Sequence, residues 1–442
     1  MRDRPRTIRS ERPTIWVDVA AFLEFFRYLE RPTGIQRVEM EIFAELARVR
    51  RPDGAIRFCR LERSADRFEE IALETLIRVF HDPPVAPGSI HHRLLRRMRR
   101  TLRARRVAYW RPAPLGACTE SFSRGDILVC LGATWENPRY VELLRRTRDL
   151  GVHIAVLIHD IIPVACPGLV EAALRQRFEP WLEGILGNSD LVLTNSKHSR
   201  ATIRDYAERR RLAMPPVDVL RFGTGFSAGT AVLASGDAAF PQPYVLYVST
   251  IEVRKNHALL LRVWRRLIEQ HGAAAVPRLL LIGRIGWLVD DVMAELTREG
   301  PLREKVVVRS GLSDAEVATA YRQCLFTVFP SLMEGWGLPV EESHEHGKLC
   351  VASDRGAIPE VAGDLVDYFD PGDDTGAYAA IERAIFDHAY RAAREAQIHR
   401  EFRSRSWADC VAALVASLDG LGGETPPRGA LVSEGAEVRD VV

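Results

Sequence analysis

The feature that most limits what this chain can fold into is a rhythm. Short apolar runs of β character alternate with longer amphipathic segments almost from end to end, the pattern of parallel sheets joined by crossover helices. In the first half the runs are "TIWVDV" (14–19), "DILVCLG" (126–132), "HIAVLIHD" (153–160), "LVLTNS" (191–196) and "VDVLRFG" (217–223). Between them lie stretches of helical period such as "GIQRVEMEIFAELARV". The rhythm breaks at "SAGTAVLASGDAAFPQP" (227–243), rich in small residues and closed by two prolines, which reads as a linker. It restarts with "YVLYVST" (244–250), "RLLLIGR" (278–284), "KVVVRSG" (305–311), "CLFTVFP" (324–330), "LCVASD" (349–354) and "VDYFDP" (366–371). The fold class is therefore α/β with two domains, expected over residues 1–235 and 242–400. A helix over 401–420 is expected to return to the first domain, and an aperiodic tail over 421–442 to stay without fixed structure.

Bulk properties agree with two cores, since 442 residues exceed one domain of about 150. The formal charge is +2, so no global field points to a nucleic-acid partner. Only four of the 61 basic residues are lysine, at 197, 255, 305 and 348, which makes each lysine more informative than any one arginine. The cysteines form no CxxC pair and no His/Cys metal spacing, a pattern of reducing compartments. The basic N-terminus lacks a cleavage site and no run approaches the ~20 apolar residues of a membrane span, so the expected location is the cytoplasm. "HHRLLRRMRRTLRARRVAYWRP" (91–112) departs from the alternation, with arginine around a stripe of Leu94, Leu95, Met98, Leu102 and Val107. Such a helix can lie on anionic lipid at the inner face of the plasma membrane, or cover the protein's own core with its stripe.

The chemistry concentrates in "FPSLMEGWGLPVEESHEHGK" (329–348), which reads as strand, turn and helix. Pro339 suits the first helical position and Gly347 the helix stop. The turn thus sits at the carboxyl end of a parallel strand, where ligands bind in open α/β sheets. Gly335 and Gly337 permit close backbone approach, and a helix N-terminus favours a phosphate. Glu334 and Glu342 fit a phosphate poorly but match vicinal diols, whose paired hydroxyls suit two acceptor oxygens. A ligand with diols on both sides of a diphosphate is a nucleotide sugar. The plainer reading is that the acids favour a helix N-terminus and the glycines make a turn. "STIEVRKNH", at the end of the second domain's first strand, adds Arg254 and Lys255, which can neutralise a diphosphate or form a solvated loop.

At these residues the chain resembles family 4 of the retaining glycosyltransferases with the GT-B fold, in particular bacterial polysaccharide mannosyltransferases. The resemblance rests on "YVSTIEVRKNHALLLRVW", "LFTVFPSLMEGWGLPVEESHEHG" and "ASDRGAIPEVAGD". It is strong over 242–372 and continues more weakly upstream in "RPTGIQRVEMEIF", "LIHDIIPV" and "LVLTNSKHSR". It implies two Rossmann-like domains with parallel sheets facing a central cleft, and transfer of a hexose with retention from a nucleotide-diphosphate sugar to a cell-surface polysaccharide or lipid-linked glycan. The family's two glutamates, with seven residues between them, fall on Glu334 and Glu342. By resemblance Glu342 binds the ribose, and Glu334 faces the transferred sugar. The backbone of Gly335, Trp336 and Gly337, with Leu338, contacts the donor, and Arg254 and Lys255 stabilise the leaving diphosphate. Ser249 and Thr250 belong to the donor set, Gly34 brings the first domain's loop to the diphosphate, and His159 matches a histidine near the sugar. His159 can equally be a structural strand-end residue.

No Asp-x-Asp occurs, so cationic side chains are expected in place of a metal, and no cofactor is expected. Ser249 departs from the glycine or arginine common in the family, which puts one diphosphate contact in doubt. Glu341, His344 and Glu345 replace apolar or small residues and imply a helix face turned toward the acceptor or a partner. GDP-mannose is the preferred donor, with UDP-hexose next. Two alternatives stand beside this reading: a non-catalytic nucleotide-sugar-binding subunit of a glycan assembly complex, or another enzyme on this fold, such as a nucleotide-sugar epimerase. A pyridoxal-phosphate phosphorylase has few lysines to draw on, and no GxGxxG supports an NAD enzyme.

Overall fold

The structure is a computed structural model that describes residues 12–28, 34–51, 54–62, 67–72, 122–225, 240 and 242–422. The arginine-rich 91–112 segment, nearly all of the 227–243 linker and the tail beyond 422 lie outside these residues.

Thirteen strands among the described residues form two sheets. The first contains β1 (Ile15–Asp18), β2 (Ile56–Glu62), β3 (Arg67–Ile71), β4 (Ile127–Cys130), β5 (His153–Leu157), β6 (Leu191–Thr194) and β7 (Val217–Val219), in the order β3-β2-β1-β4-β5-β6-β7. The second contains β8 (Tyr244–Val248), β9 (Arg278–Ile282), β10 (Val306–Arg309), β11 (Thr327–Phe329), β12 (Cys350–Ser353) and β13 (Val366–Phe369), in the order β10-β9-β8-β11-β12-β13. All pairings of the second sheet are parallel. Each order reverses direction once, between β1 and β4 in the first sheet and between β8 and β11 in the second. These are the switch points where α/β sheets open toward ligands at their carboxyl ends.

Every strand expected from the sequence is present, shortened at its ends where the run leaves the ladder. The inner strands are buried on both faces, which is why they read as unbroken apolar runs. In β8, Val245 and Tyr247 join a core with Leu279 and Leu281, while Tyr244 and Leu246 join one on the opposite face with Leu280 and Ile282. Each such side chain stabilises the fold by roughly 1.5–3 kcal/mol relative to exposure. The hairpin β2–β3 falls outside the alternation. It pairs antiparallel at the sheet edge, and its charges meet across the ladder as Arg57–Glu70 and Arg60–Glu69.

Four helices position the residues discussed below: α1 (Ile35–Leu46), α2 (Lys197–Arg210), α3 (Asp314–Gln323) and α4 (Leu338–Glu345). Ser196 caps α2 by accepting the Ser199 N–H. Ser313 and Glu316 form a reciprocal capping box at α3, so its start is defined locally before any packing.

The described residues divide into two compact units. One is drawn from Met1–Leu157, Trp181–Leu193 and Val411–Val442, the other from Ile158–Pro180 and Thr194–Cys410. Among the described residues no helix is long and apolar enough to cross a membrane.

Candidate active site

The residues singled out after β8 and β11 meet at the switch point of the second sheet. Arg254 and Lys255 follow β8 in a single 3-10 turn, and Glu334 follows β11. Arg254 Nη1 donates to Glu334 Oε2 at 2.6 Å, and Lys255 Nζ bonds the other carboxylate oxygen. The same guanidinium donates through Nε to Glu252 Oε1 at 3.0 Å, and through Nη1 to the Met333 carbonyl at 3.0 Å. These groups are largely withdrawn from water, the Glu334 side chain being 8% exposed, Lys255 12% and Arg254 18%. Burial alone would raise the Glu334 pKa, but Arg254 and Lys255 outweigh it and hold the carboxyl at about 2. Burial raises Asp160 and Glu252, with Arg254 pulling each back down.

Gly335 is required here by packing. A Cβ at Gly335 would come within 2.7 Å of Asp160 Cβ and 3.0 Å of the His159 carbonyl oxygen. His159 and Asp160 follow β5, are assigned to the same compact unit as Glu334, and so bring the end of "LIHD" to the glutamate loop. The Ser196 hydroxyl donates to the Gly335 carbonyl at 2.9 Å, and Ser199 Oγ donates to the His159 carbonyl at 3.2 Å. Gly337 meets a different demand. Its φ of +140° is strained for a residue with a side chain, and it turns the chain directly into α4 with Leu338 and Pro339 in the first turn. Behind the loop, the Ala357 N–H donates to the Glu334 carbonyl at 2.9 Å, and any Cβ on Gly356 would strike that oxygen at 2.2 Å.

The remaining candidates are spread more widely. Glu342 is buried one helical turn into α4, where its Oε2 accepts from the Tyr321 hydroxyl of α3 at 2.8 Å. Ser249 is half-buried after β8, its Oγ 3.4 Å from His257 Nε2, and its carbonyl occupies the space a side chain on Gly283 would need. Thr250 lies against Gly286. Gly34 belongs to the other unit, where it caps α1 with φ +52° and has open space at its Cβ position. Trp336 is 5% exposed and its indole Nε1 donates to Glu341 Oε2 at 2.8 Å. Glu341 and His344 are both buried. Glu345 is exposed.

Asp160, Glu252, Ser196 and Gly356 join the cluster without having been singled out as site residues. Asp160 stands beside His159 in "LIHD" and Glu252 beside Arg254 in "IEVRK", so proximity in sequence was the available signal. Among the described residues no group of three or more His, Cys, Asp or Glu side chains is placed to hold a metal ion. Chemically, a guanidinium and an ammonium fixed at one strand end carry more N–H donors than their carboxylate partners use, and so can receive anionic oxygens. The carboxylate they hold ionised can accept from hydroxyls.

Residues 236–400, less than half of the chain, match the family described as Glycosyl transferases group 1. The O-antigen chain mannosyltransferase B of Escherichia coli is 28% identical over 262 residues, covering 57% of this chain and 66% of that protein. The serotype-specific mannosyltransferase WbdA of Escherichia coli is 25% identical over 261 residues, covering 56% of this chain but 32% of its own length. This chain therefore spans about a third of WbdA. Among solved structures, sucrose-phosphate synthase from Thermosynechococcus elongatus superposes with a TM-score of 0.60 over 93% of this chain and 99% of its own, at 17% identity, a likeness of fold. The protein has two sheet domains with flanking helices in the GT-B fold, and it is related to bacterial O-antigen mannosyltransferases.

Proposed function

We propose that this protein transfers a hexose from a nucleotide-diphosphate sugar to a polysaccharide or lipid-linked glycan, with retention at the anomeric carbon. The observation that carries the reading is the convergence of Arg254 and Lys255 on Glu334, directly before the Gly335 loop, at the switch point of the second sheet. In the reaction the acceptor hydroxyl oxygen bonds to the anomeric carbon while the sugar–phosphate bond breaks. The bonding electrons leave with the diphosphate, which also takes up the hydroxyl proton. Arg254 and Lys255 stabilise the charge that grows on that leaving group. Glu334, held ionised, accepts from the sugar's hydroxyls, and Glu342 accepts from the ribose diol. His159 and the backbone of Gly335 border the sugar. The mannosyltransferase relatives favour mannose, from GDP-mannose, as the sugar transferred.

The test has two stages. GDP, UDP, dTDP and ADP are compared for the rise in melting temperature they cause, and GDP should give the largest, since a ligand bound only by the folded state stabilises it. GDP-mannose is then incubated with glycan acceptors and the product's anomeric configuration is read by NMR. Stabilisation by none of the diphosphates would remove the reading. Tight donor binding with no transfer to any acceptor would favour a nucleotide-sugar-binding subunit instead. Turnover should persist in excess EDTA, and its abolition there would refute the metal-independent role given to the two cations. Glu334→Ala should lower kcat by about 10²–10³ while circular dichroism stays native.

A further inference from the structure

Glu341 places a carboxyl group where an apolar side chain would be expected. It is 5% exposed, and burying a carboxyl group costs several kcal/mol unless it is hydrogen-bonded. Its bond comes from within the donor loop itself, where Trp336 donates its indole N–H at 2.8 Å. Trp336 stands between two glycines, so no side chain on either neighbour packs against the ring. The ring in turn meets Phe222 edge-on, with centroids 5.8 Å apart, and Phe222 lies 5.7 Å from the His159 imidazole. The Arg221 guanidinium sits 6.0 Å from the Trp336 ring. A continuous series of contacts thus runs from the Glu341 carboxyl through the indole and Phe222 to His159, whose carbonyl borders Gly335.

We propose that Glu341 is a positioning residue for the donor site: by accepting the Trp336 indole N–H it locks the ring that seats Phe222 against His159. A glutamate and a tryptophan here form one unit, in which the carboxyl group supplies the acceptor and the indole supplies the donor and the apolar face. The inference rests on the transferase reading given above. Burial sets the ionisation of this group, raising its pKa to about 8 against the opposing pull of the Trp336 N–H and Arg221, with Glu342 and Glu345 adding to the rise.

The experiment is a double-mutant cycle on kcat/KM for GDP-mannose, using Glu341→Leu, Trp336→Phe and the double variant, with melting temperatures recorded for each. The Trp336 indole N–H resonance, assigned by its loss in Trp336→Phe, is followed in parallel by NMR. Each single substitution should lower kcat/KM about tenfold, and the double variant should be no worse than either, because both remove the same contact. Glu341→Gln, which keeps an acceptor oxygen, should recover most of the activity. The indole resonance should move in Glu341→Leu and stay near its place in Glu341→Gln. Additive losses in the double variant, or an indole resonance unmoved by Glu341→Leu, would overturn the proposal while leaving wild-type transfer intact. A wild type that binds and transfers no nucleotide sugar would instead remove the transferase reading, and this proposal with it.

Discussion

The two sheets reverse strand order at corresponding switch points and place carboxylates there, yet they shift those carboxylates in opposite directions. At the switch point of the second sheet, Glu334 is met by Arg254 and Lys255 and held ionised. At the switch point of the first, Asp18 ends β1 and Glu39 reaches from α1 toward Gly132 just beyond β4. Asp18 bonds the Tyr140 hydroxyl and the Ala20 N–H, whereas both Glu39 carboxylate oxygens are buried with no hydrogen-bond partner among the described residues. Burial raises the Asp18 pKa to about 6, with Tyr140 and Ala20 opposing. Burial and then Asp18 raise Glu39 well above the ordinary range. Position in the sheet therefore does not decide whether an acid stays charged. What lowers Glu334 where Asp18 and Glu39 are raised is a cation bonded to each of its carboxylate oxygens.

The contrast breaks most sharply under substitution of the charged partners. Arg254→Met should destabilise the protein by about 3–5 kcal/mol, because it leaves buried carboxylates with one cation fewer. It should also lower kcat/KM by about 10³. Glu39→Leu should do the reverse and raise stability by about 1 kcal/mol, since it replaces a buried carboxyl group that has no partner. Urea unfolding at pH 7 measures both. If the two substitutions shift the midpoint in the same direction, the electrostatic distinction between the switch points is wrong.

Acidity gives a second, smaller test. For Glu334 the folded pKa of about 2 lies below the ordinary 4.5, so its contribution is present above pH 4.5 and is lost as pH falls toward 2. For Asp18 the folded pKa of about 6 lies above 3.8, so the folded state binds the extra proton between those values. Its contribution is full below 3.8 and is lost as pH rises through 6. Asp18→Asn should therefore gain stability relative to wild type between pH 4 and 7, by about 2–3 kcal/mol. Parallel stability curves for the two proteins across that range would contradict the assignment.

Why one switch point was legible in the sequence and the other was not follows from the same physics. Glu334, Arg254 and Lys255 announce themselves because each follows an apolar run that can only be a buried strand, and because glycines mark the close approach. The inner strands were legible for that reason too. The hairpin β2–β3 was not, since Arg57, Arg60, Glu69 and Glu70 interrupt its apolar residues and acquire meaning only when paired across an edge. Glu39 sits inside an amphipathic helical pattern that gives no sign of its burial beside Gly132. Glu341 reads as part of a polar helix face, because its partner is a tryptophan N–H that turns back from the preceding loop. Asp160 meets the Glu334 loop by tertiary folding alone, through contacts between segments that a single sequence does not pair.

The smallest effect belongs to a third pair that has good geometry but is half exposed to water. Arg262 Nε and Nη2 bond the two oxygens of Asp374 at 2.6 and 2.8 Å, a fork as good as any at the second switch point. Its side chains are 47% and 50% exposed, so water and salt screen the attraction, and holding two long side chains in one geometry costs entropy. The neighbouring arginine lowers the Asp374 pKa chiefly through the hydrogen bond itself. Asp374→Ala should accordingly cost no more than about 1 kcal/mol, and less as salt is raised. Urea unfolding at low and high ionic strength measures this directly. A loss approaching that of Arg254→Met would mean that fork geometry, and not exclusion of water, sets the strength of the Glu334 cluster. The contrast between the two switch points would then need a different physical basis.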